Sequence, residues 1–194
     1  MKTQIFIIIS WLNVVTLFGQ QFNNDTILCK NYKVIICDNN YAPFESRNIF
    51  PKNRFKPTTT IVDSIEEQIK IQYSLAHKIY FKLSFEEQKN AKTDYSRKEF
   101  REIRRYHKKS NIDKIVKDMQ TEFDKRNSGF DREYYGYIGL NSKRYIRIIF
   151  KPHKPEYVEI PGTGEAILDN ISPLTFNLDT NKLFLAGWTG EKDE

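Results

Sequence analysis

Arg97, Lys98, Arg101, Arg104, Arg105, Lys108 and Lys109 stand within thirteen residues, against two acids, Glu99 and Glu102. Cations at this density could hold phosphate, sulfate or uronate groups, with arginine giving planar, paired contacts that lysine cannot. On a helix, Arg97, Arg101, Arg104 or Arg105, and Lys108 share one face, while Phe100, Ile103 and Tyr106 lie elsewhere. The plainer alternative is a solvated helix face with Glu99 and Glu102 as partial partners. The segment carries a net +5 in a 194-residue chain whose formal charge is +6. With Lys2 set aside the remainder is balanced, so the excess is local.

No other constellation competes. His77, His107 and His153 are far apart and form no helical pair, and no metal site is implied. There is no Gly-x-Ser-x-Gly elbow around any serine. Gly162-Thr163-Gly164-Glu165 lacks the Gly-Lys-Ser/Thr ending of a phosphate loop and reads as a turn. Arg132, Glu133, Tyr134, Tyr135, Tyr137 and Arg147 could gather on the wet face of a sheet, with cross-strand packing the preferred reading. No catalytic residue and no cofactor is assigned. Cys29 and Cys37 are the only cysteines. An even count in an exported chain suggests a disulfide. A tight turn at 30–32 would argue against it, because Cys37 would then lie beyond the position opposite Cys29.

Several elements must position these residues. Residues 32–37 are β-branched and strand-like, and 38–60 reads as an irregular connection rich in Asn and Pro. Ser64 and Glu67 resemble a capping box, and Ile65, Ile69, Tyr73, Ala76, Tyr80 and Leu83 follow at helical steps. Residues 96–109 are helical by composition. A fresh cap at 110–113 opens the clearest amphipathic stripe, Ile112, Ile115, Val116, Met119 and Phe123. After Gly129 the period becomes two. Strands are expected at 134–140 and 143–151 around Asn141-Ser142, and at 173–179 and 182–188 around Thr180-Asn181, with a short one at 157–160. Gly136 and Gly139 mark a bulge or bend. The order predicts an α+β fold: an N-terminal strand and helices packed on a C-terminal antiparallel sheet of about four strands, with one face wet. The helix bearing Met119 is expected to cover the apolar face.

Residues 1–20 have the export pattern: Lys2, an apolar run over 5–18, and Gly19 as a small residue at the cut. The run is too short for a spanning helix. The expected organisation is a signal peptide over 1–20, then 21–60 and 61–194 as one globular domain. The expected location is extracytoplasmic, periplasmic or secreted, with no transmembrane span in the mature chain.

Phe55-Lys56-Pro57, Ile65-Glu66-Glu67, the stretch Arg132-Glu133-Tyr134-Tyr135-Gly136-Tyr137-Ile138 and the late Ile167-Leu168-Asp169 resemble a set of uncharacterised small exported proteins of Bacteroidota. In those the central stretch reads Arg-Gln-Tyr-x-Gly-Tyr-Ile and an Asp-Gly-Gly follows. Here Glu133 replaces the Gln, and Asp169-Asn170 departs from the later motif. The resemblance implies export and an α+β fold and hands over no activity. Asp25-Thr26-Ile27 and Asp63-Ser64-Ile65 resemble the O-glycosylation acceptor of exported Bacteroidota proteins. Thr26 is the better candidate, since Ser64 is explained as a cap. The expected function is a non-catalytic exported binding domain for an anionic glycan, lipopolysaccharide phosphate or an acidic protein. Export and the lack of a recognition motif argue against nucleic acid. The alternatives are a hydrolase of envelope polymers, and an inhibitor or immunity protein on a cystatin-like scaffold. The latter is weakened by the missing Gln-x-Val-x-Gly loop.

Overall fold

The computed structural model describes residues 24–29, 31–39, 53–139, 141–154, 157–160, 164–167 and 171–185. The expected signal peptide lies outside them. In chain order the elements are β1 (Asp25–Leu28), β2 (Lys33–Ile36), β3 (Arg54–Phe55), α1 (Thr59–Asn90), α2 (Arg97–Tyr106), α3 (Lys109–Arg126), β4 (Phe130–Ile138), β5 (Arg144–Pro152), β6 (Tyr157–Ile160), β7 (Gly164–Ile167), β8 (Leu174–Asn177) and β9 (Lys182–Leu185). Among the described residues, no helix is long and apolar enough to cross a membrane.

The α+β class holds, but the sheet has about seven strands rather than four. Its order is β1-β2-β4-β5-β8-β9, with β3 also on β4, and β6 and β7 form a separate two-stranded ribbon. The expected hairpins form the centre. β4 and β5 pair from Phe130↔Pro152 to Ile138↔Arg144, and β8 and β9 pair from Leu174↔Leu185 to Asn177↔Lys182. Ser142 and Asn181 take the positive φ angles, 60° and 54°, that these tight reversals require. The extra strands come from the N-terminal part. β1 and β2 make an antiparallel hairpin, and β2 joins β4 in parallel, Ile36 opposite Tyr134. A parallel pair needs a long crossover, and here it contains α1, α2 and α3.

Rows of directly opposed residues define the helix-covered face of the sheet. Ile36, Tyr134, Ile148, Leu174 and Leu185 make one row, and Gly136, Ile146, Phe176 and Leu183 make the next. α1 covers them with Val62, Ile65, Ile69, Tyr73 and Ala76, in one core cluster with Phe123 of α3. The main cover is therefore α1, not the Met119 helix. α3 lies beside α1, tied by Ser74–Gln120 at 2.7 Å and Lys78–Asp113 at 2.8 Å. Its predicted stripe is real, with Val116 and Phe123 buried and Ile112, Ile115 and Met119 half-buried.

α1 begins at Thr58, whose hydroxyl accepts from the Ile61 amide at 3.4 Å. Ser64 lies inside the helix and caps nothing. Thr58–Val62 is β-branched and a poor helix former, yet burial of Val62 and Ile65 outweighs that cost of tenths of a kcal/mol per residue. The helix also runs past Leu83 to Asn90. Gln72 reaches the β9 edge, accepting from the Leu183 amide and donating to the Asn181 carbonyl, both at 3.0 Å.

The expected wet face is another correction: Tyr135, Tyr145, Thr175, Asn177 and Phe184 are all buried there. Polar groups on this face find partners on neighbouring strands and in the β8–β9 turn. Arg147 donates to Thr175 at 3.3 Å, and Asn177 accepts from the Asp179 and Thr180 amides at 2.9 and 3.1 Å. A buried polar group is tolerable when it is hydrogen-bonded.

Gly136 is no bulge. It pairs with Phe55 of β3, and a Cβ there would lie 2.7 Å from a Phe55 ring carbon. Replacing Gly136 with Ala should therefore displace β3 and cost about 1–3 kcal/mol. Gly129→Ala, with nothing within 4 Å of the added carbon, should change stability by less than about 0.5 kcal/mol. Urea denaturation of both variants checks this, and amide exchange at Arg54 and Phe55 should quicken only in the first.

Candidate functional site

α2 forms because Ser96 and Glu99 close a capping box. The Ser96 hydroxyl accepts from the Glu99 amide at 3.2 Å, and the Glu99 carboxylate accepts from the Ser96 amide at 2.7 Å. Those hydrogen bonds hold the Glu99 carboxyl below its usual range. One of the two acids expected to neutralise the segment is thus engaged by the helix start. Phe100 and Ile103 are half-buried, and Arg97, Lys98, Arg101, Arg104, Arg105, Lys108 and Lys109 are all exposed. Among the described residues none of the seven has a carboxylate within 4 Å. Lys108 is the N-cap of α3, not a member of α2, so the cationic surface runs across the junction of two helices. That cap makes no side-chain hydrogen bond, and the expected cap at Ser110 and Asn111 lies inside the helix. Asn111 instead donates to the Arg105 carbonyl at 2.8 Å, joining the two helices.

The inner side of α2 rests on the last turns of α1 through aromatic rings. Phe85 stacks on His107 at 4.9 Å, and Phe81 meets Tyr106 edge-on at 6.1 Å. Burial lowers the His107 pKa, opposed by its hydrogen bond to the Phe81 backbone. Between the helices lies a cleft of about 340 Å³ lined by Tyr80, Phe81, Ser84, Gln88, Glu102, Ile103, Tyr106 and His107. Sequence reasoning missed it. The α1 side depends on helix beyond Leu83, and only then do Tyr80, Ser84 and Gln88 align at four-residue steps.

Residues 132–137 do not gather on one face, because alternation splits them. Arg132 and Tyr134 point toward α1. There the buried Arg132 guanidinium pairs with the Glu66 carboxylate, donates to Tyr32 Oη at 3.1 Å and Asn127 Oδ1 at 3.2 Å, and lies over the Tyr32 ring at 4.1 Å. Tyr32 and Tyr134 both donate to Glu66. Glu133 and Tyr135 point the other way, where Glu133 accepts from Tyr135 and pairs with Lys151. Arg147 stands opposite Tyr135 on that face. The carboxylates of half-buried Glu66 and buried Glu133 thus sit on opposite sides of the sheet and do not converge as a hydrolytic pair needs.

The cysteines are not bonded. Leu28 faces Lys33 and Asp25 faces Ile36, while the Cys29 amide donates to Tyr32. Cys37 therefore lies five residues beyond the position opposite Cys29, roughly 16 Å along the strand. A disulfide needs Cα atoms within about 7 Å. Cys29 packs on the helix-side core and Cys37 in the cluster on the other face, where burial first and Glu133 second push its thiol pKa up to about 12. Thr26 is exposed on the outermost strand, β1. His153 is bonded to Asp131 at 2.8 Å. Among the described residues, no group of three or more His, Cys, Asp or Glu could hold a metal. No family model, curated protein or solved structure matches the chain.

His77 lies in the α1 core, 2% exposed, its ring edge-on to Tyr73 at 4.6 Å. Neither nitrogen has a hydrogen-bond partner among the described residues, and burial lowers its pKa to about 4. A histidine free in the unfolded chain titrates near 6.5. Between these values the unfolded chain takes up a proton that the native state refuses, so stability falls as pH drops from about 6.5 toward 4. The full loss is on the order of 3 kcal/mol. Urea denaturation at pH 7.5 and 4.5 should show the wild type losing more than His77→Leu by roughly that amount.

Proposed function

We propose that this chain is an exported, non-catalytic binding domain whose ligand is polyanionic and docks on the outer surface of α2 and the start of α3. One observation carries the reading: seven exposed cations within thirteen residues have no carboxylate within 4 Å among the described residues. A solvated face would ordinarily intersperse acids at three- and four-residue steps. Here the only acids are Glu99, whose ionised carboxylate is turned to the cap, and Glu102, so the segment keeps a net charge of +5. The leader-like residues 1–20 support an extracytoplasmic setting, where glycans and lipopolysaccharide supply anions. Thr26, exposed on β1 within Asp25-Thr26-Ile27, is proposed as an acceptor for glycosylation.

Replacing Arg101, Arg104 and Arg105 together with Glu reverses the local charge without touching a buried side chain. The wild type should be retained on heparin and released by salt, since exposed charges are screened beyond about 8 Å at physiological ionic strength. The triple variant should keep its circular dichroism spectrum and pass through unretained. Elution of a folded variant at the wild-type salt concentration would overturn the reading.

A further inference from the structure

The cleft between α1 and α2 opens beside the cationic surface but has a different chemistry. Its lining holds no Lys or Arg. Its rings are aromatic faces, with Tyr106 49% exposed. Its acceptors are the Glu102 carboxylate and the carbonyl oxygen of Gln88, which is buried without a hydrogen-bond partner among the described residues, and Tyr80 and Tyr106 bring hydroxyls that can donate or accept. Ser84 adds a hydroxyl that can serve either way.

An orphaned buried acceptor costs about 1–3 kcal/mol until a donor reaches it. The cleft therefore favours an occupant that brings donors and an apolar face. A bare sulfate or phosphate brings neither and would meet Glu102. An organic cation would suit the rings and Glu102, but it would sit beside a segment of net charge +5. A sugar ring fits both demands, since its hydroxyls donate to Gln88 and Glu102 while its C–H face lies on Tyr106. The volume, about 340 Å³, is at the lower end of small-molecule sites. Lys98 and Arg105 stand four residues before and three after Glu102, so they flank that carboxylate on the helix surface. Acidic groups on neighbouring sugars would meet them.

We propose that the ligand is an acidic polysaccharide, one ring of which seats in this cleft while the α2 cations hold the charged groups of its neighbours. This rests on the anion-binding reading and narrows it to a glycan. The test compares a size-defined heparin oligosaccharide with inorganic polyphosphate of matched charge, both by titration calorimetry. Wild type should bind the oligosaccharide more tightly. Tyr106→Ala and Gln88→Leu should each weaken oligosaccharide binding about fivefold, the scale of one aromatic contact or one hydrogen bond. They should leave polyphosphate binding within about twofold. Reversal of Arg101, Arg104 and Arg105 should weaken both. If the cleft variants weaken both polymers alike, or neither, the sugar site is wrong while the α2 surface stands. If wild type binds neither polymer, both readings fall. Circular dichroism checks folding, and should Tyr106→Ala unfold, the volume-conserving Gln88→Leu decides alone.

Discussion

Arg132 stands on the helix-facing side of β4 with its guanidinium removed from water, and Glu66 of α1 neutralises it there. A charge buried without a partner costs several kcal/mol, so wherever Arg132 goes, Glu66 must follow. The pair also gathers the parts of the fold most distant in sequence. Tyr32 comes from the turn of the β1–β2 hairpin, Asn127 from the end of α3 and Tyr134 from β4. Phe150 of β5 closes the apolar side, 5.6 Å from the guanidinium. Five segments, β4, α1, the β1–β2 turn, the end of α3 and β5, thus meet at one ion pair.

The neighbouring residue extends the constraint to strand register. Glu133 carries the opposite charge and projects to the opposite face, where Lys151 of β5 meets it. In a strand, a slip of one residue exchanges the faces of every side chain. Such a slip would set Glu133 against Glu66 and Arg132 against Lys151, two like-charge encounters in place of two ion pairs. Apolar alternation alone specifies this sheet weakly, because both faces are buried. The Arg-Glu step supplies the missing polarity. With β4 fixed, β2 and β3 take their places along one edge and β5 along the other, and α1 is held across the sheet. α1 in turn carries α2 on its last turns, through Phe81 and Phe85, so the cationic surface projects from a rigid base.

What could be read from the sequence was local. The β4–β5 and β8–β9 hairpins announce themselves by alternation and by turns that tolerate positive φ, and the α3 stripe by its three- and four-residue spacing. The α+β class follows from those elements. The parallel β2–β4 pairing does not, since it joins residues about a hundred apart and leaves no period in the chain. The start of α1 was hidden for a different reason: burial of Val62 overrides a β-branched run. The second buried face was hidden because Thr175 and Asn177 have polar side chains whose partners come from neighbouring strands and turns. The disulfide failed on register, which cysteine counting cannot see. Of the candidate site, the cations were legible as a run of charge, but the commitment of Glu99 to the cap and the cleft beside Tyr106 exist only once α1 and α2 are packed.

The central claim is that Arg132 and Glu66 act as one unit on which the assembly of sheet and helices depends. A double-mutant cycle measures this directly, with urea denaturation of the wild type, Arg132→Met, Glu66→Gln and the double variant. Each single change should cost about 3–5 kcal/mol, because it strands a buried partner. The double variant should recover much of that loss, giving a coupling energy of about 2 kcal/mol or more. Single losses that add to the double within about 0.5 kcal/mol would contradict the account and make the two residues independent occupants of the same interior.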